Sequence, residues 1–185
     1  MANLNQDQLD YFEEFGFLPV KDAFDPDEVT DPIIEEYHGV MDRLAEELFE
    51  DGRISSKFED LPFGKRLTVI MQETKETHAG YFDFSLPFAG VSENTPCWFG
   101  PAVFNALVNE QILDVVESVI GPEIYSNPVQ HVRIKPPEKD LPKNKHGQPI
   151  LGATIWHQDH GVVTEEADDT NMLTVWFPLL DAPVE

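Results

Sequence analysis

The sequence predicts an α+β, mainly β fold in which a helical N-terminal layer precedes several strands. Two observations predict it. Apolar residues recur at helical spacing in two long stretches of the first 120 residues, with capping residues at their ends. After Gly121-Pro122 the pattern changes to short apolar runs separated by turn residues, which is typical of strands. Helices first and strands second favour a single domain over 1–185, with a mostly helical layer in 1–122 and strands in 123–185.

The helical layer begins with a short helix that Asn5 caps and Gly16 ends. The run Asp-Pro-Asp-Glu at 25–28 has the form of a capping box with Pro at the first helical position, and it predicts the start of a second helix that Gly52 closes. The apolar stripe of this second helix comprises Ile33, Ile34, Tyr37, Met41, Leu44 and Leu48. A third helix is predicted over 102–120.

The remaining segments are predicted as strands and loops. Residues 67–71 form a β-rich run, and 72–100 form an irregular loop that contains several aromatic residues. After the third helix, strands are predicted over 124–135, 153–156 and 172–180. A polar, Pro-rich loop at 136–150 and an acidic loop at 162–171 separate them.

Composition and charge exclude several classes of function. The 185 residues carry 12 Lys and Arg against 35 Asp and Glu, a formal net charge of −23, so a nucleic-acid backbone or an anionic membrane would be repelled. No signal peptide and no membrane span are evident. The single Cys97 cannot form an internal disulfide, and a reducing, cytoplasmic compartment is expected.

The charge is unevenly distributed. Residues 1–60 hold 18 acidic and 4 basic side chains, and 161–185 hold 6 acidic and none basic. Five of the 12 basic residues fall close together: Arg133, Lys135, Lys139, Lys143 and Lys145. This basic cluster reads either as an exposed lysine-rich loop or as an attractor for an anionic small molecule.

The feature that points most directly to chemistry is His157-Gln158-Asp159, which follows an apolar strand. Residues two apart in a strand project from the same face, so the imidazole of His157 and the carboxylate of Asp159 are expected to converge. They are the residue types of two of the three ligands in a 2-His-1-carboxylate triad, which binds Fe(II) and leaves positions open. A structural His–carboxylate contact remains the alternative.

Sequence on both sides of this pair extends the pattern. Residues 133–137 read Arg-Ile-Lys-Pro-Pro, 156–160 read Trp-His-Gln-Asp-His, and 174–181 read Thr-Val-Trp-Phe-Pro-Leu-Leu-Asp. Near the start, 11–20 read Tyr-Phe-Glu-Glu-Phe-Gly-Phe-Leu-Pro-Val. Together these runs resemble the phytanoyl-CoA dioxygenase family of Fe(II)/2-oxoglutarate-dependent oxygenases. The resemblance is specific around 130–181 and loose in 50–125. It implies a double-stranded β-helix, the jelly roll or cupin-like barrel, behind the helical layer.

The resemblance also implies roles for individual residues. His157 and Asp159 would be the catalytic metal ligands for Fe(II). Gln130 and Lys135 would lie on the strand facing the 2-oxoglutarate pocket, and Trp176 on a strand lining it. The carboxylate of Asp159 favours hydroxylation over halogenation. The implied reaction oxidises a C–H bond of a small-molecule substrate with O₂ and releases succinate and CO₂.

The family pattern is incomplete in this chain. A second metal-binding histidine and an arginine that pairs with 2-oxoglutarate are expected downstream, but no histidine follows His160. The other histidines, His38, His78, His131 and His146, read as surface or core residues. We therefore expect an N-terminal fragment with an incomplete barrel that is inactive alone. Tight one-to-one Fe(II) binding by this chain would contradict that expectation.

Three alternatives stay open at the level of sequence. The chain could belong to a non-catalytic β-helix protein that binds a ligand or partner. It could belong to a cupin-like metal isomerase or hydrolase using Zn or Mn. The His157–Asp159 pair could also be purely structural. The identity of the substrate and the oligomeric state are not predicted.

Overall fold

A computed structural model of the chain describes residues 4–83, 91–127, 130–152, 156–157, 159, 165 and 169–181. Its α-helices are α1 (Gln6–Phe15), α2 (Thr30–Glu50), α3 (Phe63–Thr74), α4 (Ala79–Phe82), α5 (Pro101–Leu107) and α6 (Glu110–Ile120), with a 3-10 turn at Glu138–Asp140. No helix among these residues combines the length and apolar character needed to cross a membrane.

The chain divides into two compact units. The terminal unit contains Met1–Ile34, Gly100–Asn127 and His157–Glu185, and the central unit contains Glu35–Phe99 and Pro128–Trp156. Helix α2 begins in the terminal unit and continues in the central one. The single domain expected over 1–185 stays a prediction.

The caps predicted for α1 are confirmed. The side chain of Asn5 accepts a hydrogen bond from the backbone N–H of Gln8, and the side chain of Gln8 accepts one from the N–H of Asn5. These two bonds satisfy backbone donors that the first turn of a helix leaves without partners. Gly16 ends the helix at φ +73°, a left-handed conformation that suits glycine because it lacks a Cβ atom.

The apolar stripe predicted for α2 is also confirmed, although the helix begins later than expected. Residues 26–29 form turns, and the side chain of Asp25 accepts from the N–H of Asp27 before the helix starts at Thr30. Five of the stripe residues, Ile33, Tyr37, Met41, Leu44 and Leu48, are at most 3% exposed. Burial at this spacing supplies most of the stability of such a helix.

The core of the terminal unit joins its helices to the 172–180 segment. Buried Val29, Ile112 and Val116 form its centre. Partly buried Phe24, Ala106, Ile120, Ile124, Leu173 and Phe177 pack against them. The rings of Phe24 and Phe177 meet edge to face with their centroids 5.0 Å apart. This apolar packing anchors the 172–180 segment to the helices.

The helix predicted over 102–120 is divided into α5 and α6. The side chain of Asn109 accepts hydrogen bonds from the N–H groups of Gln111 and Ile112, so it caps a new helix rather than continuing the previous one. Gly121 ends α6 as predicted, and its N–H donates to the carbonyl of Glu117.

The strand predicted over 67–71 is wrong, because these residues lie in α3 within the central unit. Leu67, Ile70 and Met71 are buried, and their spacing of three and four residues places them on one helical face. A short apolar run is compatible with a buried strand or a buried helix, and the packing of α3 decides between them. The loop predicted over 72–100 is wrong at 72–74, which end α3, and at 79–82, which form α4. Residues 84–90 lie outside the described residues.

The α+β, mainly β fold is contradicted, and with it the double-stranded β-helix or jelly-roll barrel. The regular secondary structure of the described residues consists of helices, and they contain no strand, only an isolated bridge between Lys143 and Pro149. The described parts of 124–135 and 172–180 pair with no neighbouring strand. Of the strand predicted over 153–156, all but Trp156 lies outside the described residues.

The physical reason is that a strand requires hydrogen-bonded neighbours as well as a suitable local sequence. In 131–136 exposure alternates as a strand pattern predicts, with Val132, Ile134 and Pro136 more buried than the residues between them. In 172–180 the alternation itself fails, because Val175 is exposed between the partly buried Leu173 and Phe177. Alternation is a local property, whereas pairing is decided by distant parts of the chain.

Candidate functional site

The side chains of His157 and Asp159 lie together in the terminal unit. His157 Nε2 is 3.1 Å from Asp159 Oδ1, and the two side chains are 51% and 48% exposed. The structure thus brings together the two residues that the sequence singled out as metal ligands. It does so without a strand in the described residues, although a strand was the stated reason for expecting them to converge.

Thr174 contacts the second carboxylate oxygen of Asp159. Its hydroxyl donates a hydrogen bond of 2.8 Å to Asp159 Oδ2, so each carboxylate oxygen has a partner. Thr174 follows Leu173, which packs against the helical core of the terminal unit. Thr174 belongs to one of the runs that carry the family resemblance, but the sequence did not indicate its contact with Asp159, 15 residues away.

The donor atoms fit a shared metal ion. Two donors that bind one octahedral ion at about 2.1 Å and at right angles lie about 3.0 Å from each other. The 3.1 Å between His157 Nε2 and Asp159 Oδ1 matches this separation, and it also matches a direct imidazole–carboxylate hydrogen bond. Within the described part of the chain, no group of three or more His, Cys, Asp and Glu residues is arranged to hold a metal. The described residues therefore supply two protein donors.

Trp176 lies in the same unit, two residues beyond Thr174. Its side chain is 76% exposed, and the neighbouring Val175 and the later Leu180 are also exposed. The family resemblance implied that Trp176 lies on a strand lining a 2-oxoglutarate pocket. Trp176 lies in the same anchored segment as Thr174. Its role in lining a 2-oxoglutarate pocket stays a prediction.

The other two predicted cofactor residues, Gln130 and Lys135, belong to the central unit. Gln130 is partly buried and Lys135 is exposed. Exposure alternates along 131–136, and Gln130 and Lys135 differ in exposure accordingly. Their binding roles stay predictions.

The central unit holds a second His–Asp pair that sequence reasoning missed. His131 Nδ1 is 2.8 Å from Asp83 Oδ2, and Arg133 Nη1 is 3.9 Å from the same oxygen. The Asp83 side chain is only 13% exposed. Since 48 residues separate His131 from Asp83, no local pattern could have indicated the pair. These contacts to the Asp83 carboxylate tie the end of α4 to the 130–135 segment.

Burial and the carboxylates of Asp83 and Glu36 raise the pKa of a tyrosine, Tyr37. The hydroxyl of Tyr37 donates to the carbonyl of Phe82 in the central unit. Burial raises the pKa of Tyr37 well above its ordinary value of 10.0, and the negative charges of Asp83 and Glu36 raise it further. Tyr37 therefore remains a neutral hydrogen-bond donor throughout the physiological pH range.

None of the predicted site residues lines the two surface clefts of the central unit. Their volumes are about 630 and 420 Å³. Side chains between residues 38 and 66 line both clefts. Neither cleft is therefore part of the predicted iron or 2-oxoglutarate site.

Comparisons of the chain with protein-family models, with curated proteins and with solved structures find no match.

Proposed function

We propose that the chain binds Fe(II) through His157 and Asp159. We propose further that it acts as a 2-oxoglutarate-dependent dioxygenase that hydroxylates a C–H bond of a small molecule. The observation that carries the proposal is the 3.1 Å separation of His157 Nε2 and Asp159 Oδ1, which suits two donors on one ion. The sequence runs at 133–137, 156–160 and 174–181 support the choice of iron and 2-oxoglutarate. The proposal does not rest on a jelly-roll barrel.

Each side chain has a defined task in this proposal. The neutral imidazole of His157 offers Nε2, and the carboxylate of Asp159 offers Oδ1 together with a negative charge for the cation. Because both side chains are about half exposed, small molecules can reach them from solvent. Iron, when bound, supplies the activation of O₂ that protein side chains cannot perform. The roles of Gln130, Lys135 and Trp176 toward 2-oxoglutarate remain part of the proposal, as does a reducing, cytoplasmic compartment.

A structural His157–Asp159 hydrogen bond is the competing interpretation, because the same distance suits it. The two interpretations differ in their response to metal. A structural pair would leave added Fe(II) unbound, whereas a ligand pair would bind one ion per chain. We expect that binding to be weak, because the described residues provide two protein donors.

The test is an anaerobic titration with Fe(II) and with Co(II) as its stable spectroscopic substitute. Wild type is compared with His157→Ala, Asp159→Ala and the control His146→Ala, which removes an exposed histidine from the loop containing Asn144 and Gly147. We expect saturable binding by wild type and the control, and its loss in the other two variants. Equal binding by all four proteins, or by none, contradicts the proposal.

Turnover is measured separately. We expect succinate formation that requires 2-oxoglutarate, O₂ and Fe(II) and that disappears in His157→Ala. Turnover of a substrate with Zn or Mn and without 2-oxoglutarate would favour a cupin-like isomerase or hydrolase instead. Unchanged turnover in His157→Ala would assign the pair a structural role.

A further inference from the structure

The carboxylate of Asp159 is held from two sides. Oδ1 faces His157 Nε2 at 3.1 Å, and Oδ2 accepts a hydrogen bond of 2.8 Å from the hydroxyl of Thr174. The terminal torsion of an aspartate is broad and roughly two-fold, so an aspartate on an exposed surface rotates readily unless a partner fixes it. The hydroxyl of Thr174 supplies such a partner.

Thr174 is itself held in place by its neighbours. Leu173 and Phe177 on either side of it pack against the helical core of the terminal unit, and the ring of Phe177 contacts that of Phe24. The backbone around Thr174 is therefore anchored, although it forms no helix or strand. A hydroxyl presented from an anchored segment can orient a carboxylate at little further entropic cost.

We infer that Thr174 is a positioning residue for Asp159: its hydroxyl occupies Oδ2 and keeps Oδ1 directed toward the metal position shared with His157. This inference rests on the proposed function, since it concerns the affinity of that same metal position. Removing the hydroxyl frees the carboxylate plane to turn away from His157, which lowers the fraction of molecules with both donors in place.

Two substitutions separate the hydroxyl from the shape of the side chain. Thr174→Val keeps a β-branched side chain of nearly the same shape and loses the donor. Thr174→Ser loses a methyl group and keeps the donor. Since residue 174 is exposed, neither change disturbs the apolar core directly. Circular dichroism and the thermal unfolding midpoint of each variant verify that the helices remain.

The experiment is an anaerobic Co(II) titration monitored by visible absorption, with wild type, Thr174→Val, Thr174→Ser, His157→Ala and Asp159→Ala in parallel. We expect Thr174→Val to bind about tenfold more weakly, which is the lower end of the effect of a residue that orients a metal ligand. Its absorption band should also change in intensity or position. Thr174→Ser should regain wild-type affinity within about threefold, since the orienting donor is restored.

The outcomes distinguish this inference from the proposal beneath it. If wild type binds Co(II), both ligand variants lose binding and Thr174→Val matches wild type, the role of Thr174 is wrong and the metal site stands. If Thr174→Ser binds as weakly as Thr174→Val, the hydroxyl is not the responsible group and the inference is again overturned. If wild type binds no Co(II), the metal site and the role of Thr174 fail together.

Discussion

The hydroxyl of Tyr37 donates a hydrogen bond to the backbone carbonyl of Phe82, which joins α2 to α4 across 45 residues of sequence. Both residues are buried, and their rings meet edge to face with centroids 5.9 Å apart. Water cannot easily replace a hydrogen bond in such a position. The contact fixes the short helix α4 within the central unit.

Tyr37→Phe should therefore destabilise the protein by about 1 to 3 kcal/mol, because the carbonyl of Phe82 loses its partner while the ring packing is kept. Urea denaturation measures the change. Tyr125→Phe is the matched control, because Tyr125 is 87% exposed and its hydroxyl makes no hydrogen bond within the described residues. Equal stabilities of the two variants would refute the role of this bond.

The guanidinium of Arg66 is expected to stabilise the central unit more than its carboxylate partner does. Arg66 Nε donates to the carbonyl of Lys57 at 2.8 Å and Nη1 pairs with Asp42, while the side chains of Arg66 and Asp42 are 7% and 68% exposed. Arg66→Lys should cost about 1 to 3 kcal/mol, because one ammonium group cannot reproduce both contacts of the planar fork.

Asp42→Asn should cost less, because the amide keeps an acceptor oxygen and the site is largely exposed. The control Lys65→Arg alters the neighbouring exposed cation on the same helix. The free energies of unfolding of the three variants provide the measurement. A larger loss for Asp42→Asn than for Arg66→Lys is the result that contradicts this order.

Protonation of His78 should reduce stability below neutral pH. Burial lowers the pKa of His78 below its ordinary value of 6.5, against an opposing effect of Glu76. The hydroxyl of Thr74 donates to the carbonyl of Ile70, so His78 Nε2 must donate its own hydrogen to Thr74 Oγ1. Because its pKa is lowered, folded His78 stays neutral to a lower pH than His78 in the unfolded chain.

The sign follows from proton binding. Between the lowered pKa of folded His78 and 6.5, the unfolded chain binds more protons, so stability falls as pH falls through this window. In His78→Asn the slope of unfolding free energy against pH between pH 5 and 7 should be smaller. Asparagine also tolerates the left-handed backbone at His78, where φ is +52°. The exposed-site control is His146→Asn. A slope for His78→Asn equal to that of wild type and of this control would show that His78 does not cause the loss of stability below neutral pH.

Asn109 should be required for the start of α6. Its side chain accepts from two backbone N–H groups of the first turn. Asn109→Ala should lower stability by about 1 kcal/mol, and Asn109→Asp should preserve it because the carboxylate accepts the same bonds. Asn105→Ala, in the exposed part of α5, is the control. Thermal unfolding compares the three, and an unaffected Asn109→Ala would show that the cap is dispensable.

Several local features of this protein were predicted correctly from its sequence. The cap at Asn5, the glycine that ends α1 at Gly16 and the buried stripe of α2 each depend on residues within a few positions of one another. His157 and Asp159 are also only two residues apart and do lie together, but the strand from which their contact was predicted is absent from the described residues. Such features are encoded by backbone preferences and side-chain spacing, which the sequence displays directly.

Only the tertiary structure decided the rest. Residues 67–71 became helical because Leu67, Ile70 and Met71 are buried on one face of α3. The strands expected after Gly121 found no hydrogen-bonded neighbours among the described residues. Thr174 reaches Asp159 across 15 residues, and His131 reaches Asp83 across 48. Pairing and burial depend on distant segments meeting in space, and no short stretch of sequence carries that information.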